Sequence, residues 1–233
     1  VEGLGYEPVG KITDEKSAII KKDSLGDMKI FFLSGFLSSN GKIAAPDKNH
    51  PTWYSIGDPT ETCFATLAMK LGFTLEEIDK DYPSIKTFGF DSFRKRATII
   101  RKHHDKTISF VKGSIESILA VSSKQIVNGV VSDLNEDQKK QIIATVATFS
   151  EKALRVIAIA YKDLENKADF TVDDAEKDLV FAGFVTMFDP PHKEVKAAIE
   201  SVFKAKMKVF IITGDNEVTA KAISKNIGLM NEG

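Results

Sequence analysis

The chain has 233 residues, enough for one or two domains with a buried core. Its 32 Lys and Arg residues nearly balance 33 Asp and Glu residues, and the net charge of −1 disfavours nucleic acid or an anionic membrane as a partner. Hydrophobic residues make up 42% and charged residues 28%, which excludes a disordered or collagen-like chain. The single cysteine, Cys63, excludes an intramolecular disulfide.

The sequence does not predict a membrane-spanning segment. Its longest apolar run, residues 179–188, is interrupted by Gly183 and Thr186 and is well short of the roughly 20 residues that cross a bilayer. The first residues lack the pattern of a signal peptide, and the chain does not begin with Met. We therefore expect a soluble piece of a longer protein, with no direct membrane contact of its own.

Hydrophobic periodicity and turn residues divide the first 188 residues into helices and strands. Asp58 and Pro59 suit the cap and first turn of a helix. The three β-rich runs before residue 113 predict an antiparallel sheet. In chain order, the predicted elements are a helix at 25–37, a strand at 53–56, a helix from 59, strands at 84–90, 98–102 and 107–112, helices from 114 and 136, and strands at 154–160 and 179–188.

A boundary is predicted where Asp189 is followed by two prolines, because consecutive prolines fix the backbone and disfavour helix before them. Beyond this point the pattern predicts a helix from Val195, an apolar strand over 208–213 and a helix over 219–227. Helix, strand and helix in this order are typical of a parallel α/β layer, of which this segment is only a part.

One glycine-containing segment, residues 35–43, superficially matches a phosphate-binding loop. Five residues separate Gly35 from Gly41 where the pattern requires four, and Ile43 replaces the Ser or Thr that would contact magnesium. We interpret the segment as a turn that ends a helix. The adjacent His103 and His104 also lack a third metal ligand near them in sequence, so a turn is predicted there and no metal site.

A local basic cluster surrounds the predicted sheet despite the balanced overall charge. It lies near Phe90, and a ring beside cations suits a nucleotide, with the ring stacking on the base and the cations attracting phosphates. The alternative is that the basic residues are solvated and that Phe90 belongs to the core. The members of the cluster are Arg94, Lys95, Arg96, Arg101, Lys102 and Lys112.

Two further segments have the composition of phosphate sites. Lys112 and Gly113 precede a predicted helix start, where glycine allows close approach and the helix dipole favours negative charge. Thr213, Gly214 and Asp215 follow a predicted strand and precede a helix, a position at which open α/β sheets bind ligands. A hydroxyl, a backbone amide and a carboxylate suit a phosphoryl group with Mg²⁺, although Asp215 could instead cap the helix.

Six motifs, in order and at approximate spacing, resemble the cytoplasmic region of P-type ATPases, most closely the calcium-pump-like branch. They cover nearly the whole chain and are Gly57-Asp-Pro-Thr-Glu61, Phe90-Asp-Ser-Phe-Arg-Lys95-Arg, Phe110-Val-Lys112-Gly113, Leu154-Arg155-Val-Ile-Ala, Asp189-Pro-Pro and Ile212-Thr-Gly-Asp215. The resemblance implies an α/β (α+β) fold. It divides the chain into a nucleotide-binding domain at 1–188, with a twisted antiparallel sheet flanked by helices, and a partial phosphorylation domain at 189–233, haloacid-dehalogenase-like in fold.

The resemblance also implies roles for individual residues in binding ATP with Mg²⁺. Phe90 is similar to the ring that stacks on adenine, and Glu61 to the acidic residue beside the base. Lys112 resembles the lysine that lines the pocket, with Gly113 making room. Near the phosphates, the resemblance implies Lys95 and, from the opposite wall, Arg155. The transferred phosphoryl group would contact Thr213, Gly214 and Asp215, and Asp189 would be the hinge acid.

The implied function is to position Mg·ATP for phosphoryl transfer to an aspartate, which drives ion transport across a membrane whose cytoplasmic face the domain occupies. The phosphorylated-aspartate motif and a later magnesium motif are absent, so we expect the chain alone to be inactive and to act with the remainder of the pump. Ser114-Ile115 and His192 depart from the family pattern. Two other functions stay open: a stand-alone phosphatase using residues 213–215, and a non-catalytic interaction domain with a basic sheet face.

Overall fold

The computed structural model describes residues 1–152, 154–188, 194–213 and 217–230. The chain forms two compact units, the first comprising Val1–Asn135 and Ala158–Phe184 and the second comprising Glu136–Ile157 and Val185–Gly233. Asp189 lies outside the described residues, so the hinge and the boundary placed there remain predictions. No helix among the described residues combines the length and the apolar character needed to cross a bilayer.

The first unit begins with two 3-10 turns and three helices. Helix α2 starts as the sequence predicts, because the Asp58 carboxylate accepts a hydrogen bond from the backbone N–H of Thr60 at 2.7 Å and Pro59 occupies the first turn. The elements are the 3-10 turns Lys22–Ser24 and Gly26–Met28, α1 (Lys29–Leu37), a two-stranded antiparallel sheet of β1 (Lys42–Ala44) and β2 (Tyr54–Ile56), α2 (Pro59–Leu71) and α3 (Leu75–Asp81).

A seven-stranded sheet has the strand order β3-β4-β5-β8-β9-β6-β7. The predicted antiparallel pairing is confirmed for β3, β4 and β5. Strands β6 and β9 instead run parallel. Parallel strands need a long crossover connection, and β7 and three further elements lie between β6 and β9 in the chain. The strands are β3 (Ser84–Asp91), β4 (Arg96–His103), β5 (Lys106–Gly113), β6 (Ser122–Val127), β7 (Val130–Asp133), β8 (Arg155–Leu164) and β9 (Leu179–Met187), with α4 (Ile115–Ala120) after β5 and α6 (Val172–Glu176) before β9.

The sheet buries apolar side chains on both faces. On one face Phe110 packs edge-on against Tyr82, and Arg101 donates to the carbonyl of Leu37 at the end of α1. On the other face Ile100 packs with residues of α6 and the loop before it, Phe170 and Ala175. Because side chains alternate between faces along a strand, neighbouring residues of β4 point to different helical layers. The α/β fold with a sheet flanked by helices is thereby confirmed.

The β6–β7 hairpin was not predicted, although its turn carries a strong signal. Asn128 and Gly129 both have positive φ, 49° and 76°, as the two-residue turn of a type I′ hairpin requires. Helix α3 was also missed, although Thr74 and Glu77 form a capping box at its start. Both signals are local and readable in the sequence.

The second unit contains the helices α5 (Glu136–Ser150), α7 (Val195–Lys204) and α8 (Glu217–Asn226). The strand predicted over 208–213 is wrong: these residues adopt no regular structure. An apolar strand is stabilised by a hydrogen-bonded neighbour, and no described strand pairs with this segment. Phe210 and Ile212 are accordingly 79% and 98% exposed. The haloacid-dehalogenase-like character of this unit remains a prediction.

Candidate nucleotide site

Lys112 is the most deeply placed of the predicted site residues. It lies in β5, which pairs on both sides, and it is only 7% exposed. Its Nζ atom donates to Glu61 Oε1 at 2.6 Å and to Ser39 Oγ at 2.9 Å. Burial lowers the pKa of Lys112 below its usual 10.5, and the Glu61 carboxylate opposes that shift. The candidate site therefore contains a buried ammonium group that is paired within the chain.

Helix α2 and the segment after α1 hold Glu61 against this lysine. Glu61 Oε2 accepts the backbone N–H of Asn40 at 3.3 Å. A Cβ atom at Gly41 would lie 2.6 Å from the carbonyl carbon of Glu61, so only glycine permits this approach. The segment interpreted as a helix-ending turn does follow the end of α1, and it also supplies Ser39 and Asn40. Sequence reasoning missed these two contacts because no motif marks them.

Phe90 presents its ring to solvent from β3, with 71% of its surface exposed. The pairing of β3 with β4 is irregular here, because Phe88 pairs with Thr98 and Asp91 with Arg96, which leaves Gly89 and Phe90 opposite Ala97. Ala97 pairs in turn with Lys112 on β5. One residue of β4 therefore separates the Phe90 segment from Lys112.

Lys95 closes the tight turn between β3 and β4. Its φ of 53° is unusual for a residue with a side chain, and its N–H donates to the Asp91 carbonyl at 2.7 Å. The Asp91 carboxylate accepts the backbone N–H groups of Arg94 and Phe93, which lower its pKa. The turn leaves the Lys95 side chain exposed.

Gly113 packs against this turn. A Cβ atom at Gly113 would lie 2.5 Å from the Lys95 carbonyl oxygen and 2.7 Å from Arg96 Cβ. The Ser114 N–H donates to the same carbonyl at 3.0 Å, and Ser114 caps α4 as the sequence predicts. The space that glycine leaves is thus filled by the Lys95 turn.

The three arginines of the predicted basic cluster form internal ion pairs. Arg94 and Arg96 both contact the buried carboxylate of Glu176. Arg101, 4% exposed, donates to Asp79 Oδ1 and to two backbone carbonyls. The expectation of an open cationic surface is therefore wrong for these residues, because each guanidinium group has a partner far away in the sequence.

The remaining predicted residues belong to the second unit or are not described. Arg155 is the exposed first residue of β8 and lies in the second unit. Thr213 is exposed in the irregular segment before α8. Gly214, Asp215 and Asp189 lie outside the described residues. In the first unit the structure thus brings Glu61 against Lys112 and Gly113 against the Lys95 turn, and it places Phe90 in the strand segment that enters this turn.

Comparison with known proteins assigns the family. The family model described as P-type ATPase, cytoplasmic domain N, matches residues 27–194. The chain therefore belongs to the P-type ATPase family, and residues 27–194 correspond to its cytoplasmic domain N. The resemblance read from the six motifs is confirmed.

Individual relatives are calcium-transporting ATPases. The chain is 34% identical over 233 residues to one from Bacillus subtilis, covering 99% of this chain and 26% of that protein. It is 37% identical to calcium-transporting ATPase 1 of Lactococcus lactis, over 76% of this chain and 20% of that protein. It is 32% identical to the plasma membrane-type calcium-transporting ATPase 2 of Arabidopsis thaliana, over 88% of this chain and 20% of that protein. The chain thus spans about a quarter or less of these relatives.

Proposed function

We propose that the chain is the ATP-binding cytoplasmic part of a cation-transporting P-type ATPase and positions Mg·ATP for phosphoryl transfer to an aspartate outside this chain. The family membership and the names of the relatives support this proposal. In the parent pump, the chain would occupy the cytoplasmic face of a membrane. Its partners there would be the remaining phosphorylation, actuator and transmembrane domains.

The observation that carries the proposal is the exposed Phe90 ring, in the strand segment that enters the Lys95 turn against which Gly113 packs. A phenylalanine in a strand is ordinarily buried, and exposure of its ring gives up the favourable free energy of burial. Stacking of the ring on adenine would recover that free energy. The ammonium group of Lys112 and the carboxylate of Glu61 would then face the polar edge of the bound nucleotide.

The resemblance implies roles for the other predicted residues. Lys95 and Arg155 would attract the phosphates, and Gly113 would fix the Lys95 turn. Mg²⁺ would arrive with the nucleotide and neutralise part of its phosphate charge. Phosphoryl transfer depends mainly on positioning and charge neutralisation, so the task of this chain would be to hold and orient ATP. Thr213, Gly214 and Asp215 would contact the transferred group, with closure about Asp189.

The test is titration of the chain with ATP, ADP and GTP, followed by NMR and calorimetry. We expect dissociation constants from about tenths of a millimolar to several millimolar, because half of a two-domain site makes few contacts. Phe90→Ala should weaken ATP binding about tenfold, the loss of one stacked base. Phe93→Ala is the matched control: this ring is 96% exposed in the adjacent turn, and its removal should leave the affinity unchanged.

Two results would contradict the proposal. One is the absence of any shift at Phe90 and Lys112 with adenine nucleotides, and the other is an equal loss in the Phe90 and Phe93 variants. ATP hydrolysis by the isolated chain would contradict its expected inactivity, and phosphatase activity abolished by Asp215→Ala would favour the alternative enzyme. The internal ion pairs of the three arginines argue against the other alternative, a non-catalytic interaction domain with a basic sheet face.

A further inference from the structure

The Glu176 carboxylate is buried on the face of the sheet opposite to Lys112. Glu176 ends helix α6 and is 1% exposed. Its Oε1 atom accepts from Arg94 Nη1 and from Thr98 Oγ1, the latter at 2.7 Å, and its Oε2 atom accepts from Arg96 Nε at 2.6 Å. A buried charge needs such a full set of donors, so the arrangement is tightly specified.

The two arginines extend this network into the segment that carries the candidate site. Arg94 Nη2 donates to the Gly89 carbonyl at 3.1 Å, directly before Phe90. Arg96 Nη1 donates to Ser117 Oγ at 3.1 Å, and that hydroxyl donates to the Arg94 carbonyl at 2.5 Å, directly before Lys95. The Glu176 network thus holds the backbone at both ends of the segment from Gly89 to Lys95.

This segment needs such an anchor because its own backbone pairing is weak. Strand β3 is at the edge of the sheet, and among the strands of the described residues it pairs only with β4. The pairing register shifts between Phe88 and Asp91, which disrupts the ladder beside Phe90. The exposed Phe90 ring makes no compensating contribution to a core. Side-chain hydrogen bonds from Arg94 therefore replace regular strand pairing at this point.

We propose that Glu176 is a positioning residue for nucleotide binding. Its carboxylate fixes the bulged segment of β3 in the conformation in which the Phe90 ring can stack on the base. The inference rests on the proposed function of Phe90. Glu176 is 1% exposed and its carboxylate accepts from Arg94, Arg96 and Thr98, so it acts through these residues and not by contact with the nucleotide.

The test compares Glu176→Gln with Asp169→Asn in the full 233-residue chain. Asp169 pairs with Lys86 at 2.5 Å and so ties β3 to the same loop region, but at a distance from Phe90 along the strand. Glu176→Gln should weaken ATP binding about three- to tenfold, whereas the Asp169 variant should change it less than about twofold. Binding of inorganic tripolyphosphate, which has no base, should be weakened less by Glu176→Gln than binding of ATP.

Coupling to Phe90 separates positioning from general destabilisation. In a Phe90→Ala background, Glu176→Gln should cause no further loss of ATP affinity. An equal loss in both backgrounds, or an unchanged affinity in the folded single variant, would overturn the inference while leaving the proposed function intact. If Phe90→Ala itself has no effect on ATP binding, the proposed function fails instead.

Two further measurements do not depend on the ATP affinity of the Glu176→Gln variant. Amide hydrogen exchange across residues 89–95 should accelerate by about threefold or more in Glu176→Gln, and unchanged exchange would overturn the inference without any ligand. Arg94→Gln leaves Glu176 paired with Arg96 and Thr98 but removes the bond to the Gly89 carbonyl. It should reproduce the loss of ATP affinity even if Glu176→Gln does not fold.

Discussion

The Nζ atom of Lys112 lies 2.6 Å from Oε1 of Glu61, and the two side chains are 9% and 28% exposed. The Glu61 carboxylate on helix α2 thereby balances the positive charge of a lysine in an interior strand of the sheet. Loss of the carboxylate would leave the ammonium group buried with only the Ser39 hydroxyl as partner among the contacts described.

Glu61→Gln should therefore lower the free energy of unfolding by about 2 kcal/mol near neutral pH. Burial lowers the pKa of Lys112 in the folded chain below 10.5, its ordinary value and that of the unfolded chain. Between these two pKa values the unfolded chain binds more protons than the folded chain, so stability rises with pH. Loss of the Glu61 charge lowers the pKa of Lys112 in the folded chain further. The pH range over which stability rises therefore extends to lower pH. The destabilisation should shrink as the pH approaches 10.5, where the lysine is neutral.

Urea unfolding of both proteins at several pH values measures this effect. Asp163→Asn is the control, because Asp163 and Lys106 form an exposed pair at 3.9 Å whose loss should barely change stability. A pH-independent difference between Glu61→Gln and the unmodified chain would contradict the assignment of the effect to Lys112.

Gly113→Ala should destabilise the fold by about 1–3 kcal/mol and shift the amide resonances of Lys95 and Arg96, because the new methyl group would overlap the Lys95 turn. Gly89→Ala is the control, since a Cβ atom there would meet nothing within 4 Å. Thermal unfolding and NMR spectra of both variants check this prediction. Equal melting temperatures would show that the turn yields to the methyl group.

Arg101→Lys should cost about 2 kcal/mol of stability without changing ATP affinity. The guanidinium group of Arg101 donates to Asp79 and to the carbonyls of Leu37 and Tyr82, and a single ammonium group cannot reproduce that fork. Lys102→Ala, next along the strand and exposed, should be nearly neutral. Denaturant unfolding combined with ATP titration checks both. Weakened ATP binding in a stable Arg101 variant would restore a role in the nucleotide site.

Asp47 should titrate at a pH of about 2 instead of 3.8. The backbone N–H of Asn49 and the hydroxyl of Tyr54 donate to its carboxylate and stabilise the charged form. The loop between β1 and β2 gains stability from Asp47 above pH 3.8, and this gain is lost as the pH falls toward about 2. Carboxyl ¹³C NMR measures the midpoint, which Tyr54→Phe should raise. A wild-type midpoint near 3.8 would be inconsistent with these contacts.

The sequence predicted the elements whose signals are local. The runs that became β3, β4 and β5 are rich in β-forming residues, and the capping residues Asp58 and Ser114 mark helix starts directly. The β6–β7 hairpin was equally local and was overlooked. The failed strand at 208–213 shows the limit of periodicity, because an apolar run forms a strand only where another strand pairs with it.

The contacts of the site depended on partners that sequence spacing cannot reveal. Glu176 is about eighty positions from the arginines that it binds, and Ser39 is 73 positions from Lys112. A group of basic residues therefore resembled a ligand surface in the sequence, whereas in the fold Glu176 pairs with two of the arginines and Asp79 with the third. The exposure of Phe90 was similarly invisible, because composition does not distinguish a core ring from a displayed one.

The irregular register of β3 also bears on self-association. A straight edge strand exposes a row of free N–H and C=O groups on which a second chain can extend the sheet. The shift between Phe88 and Asp91 interrupts that row on the side away from β4. The displayed aromatic ring is thus carried on an edge that is a poor template for intermolecular β-pairing, which protects the protein from aggregation along this edge.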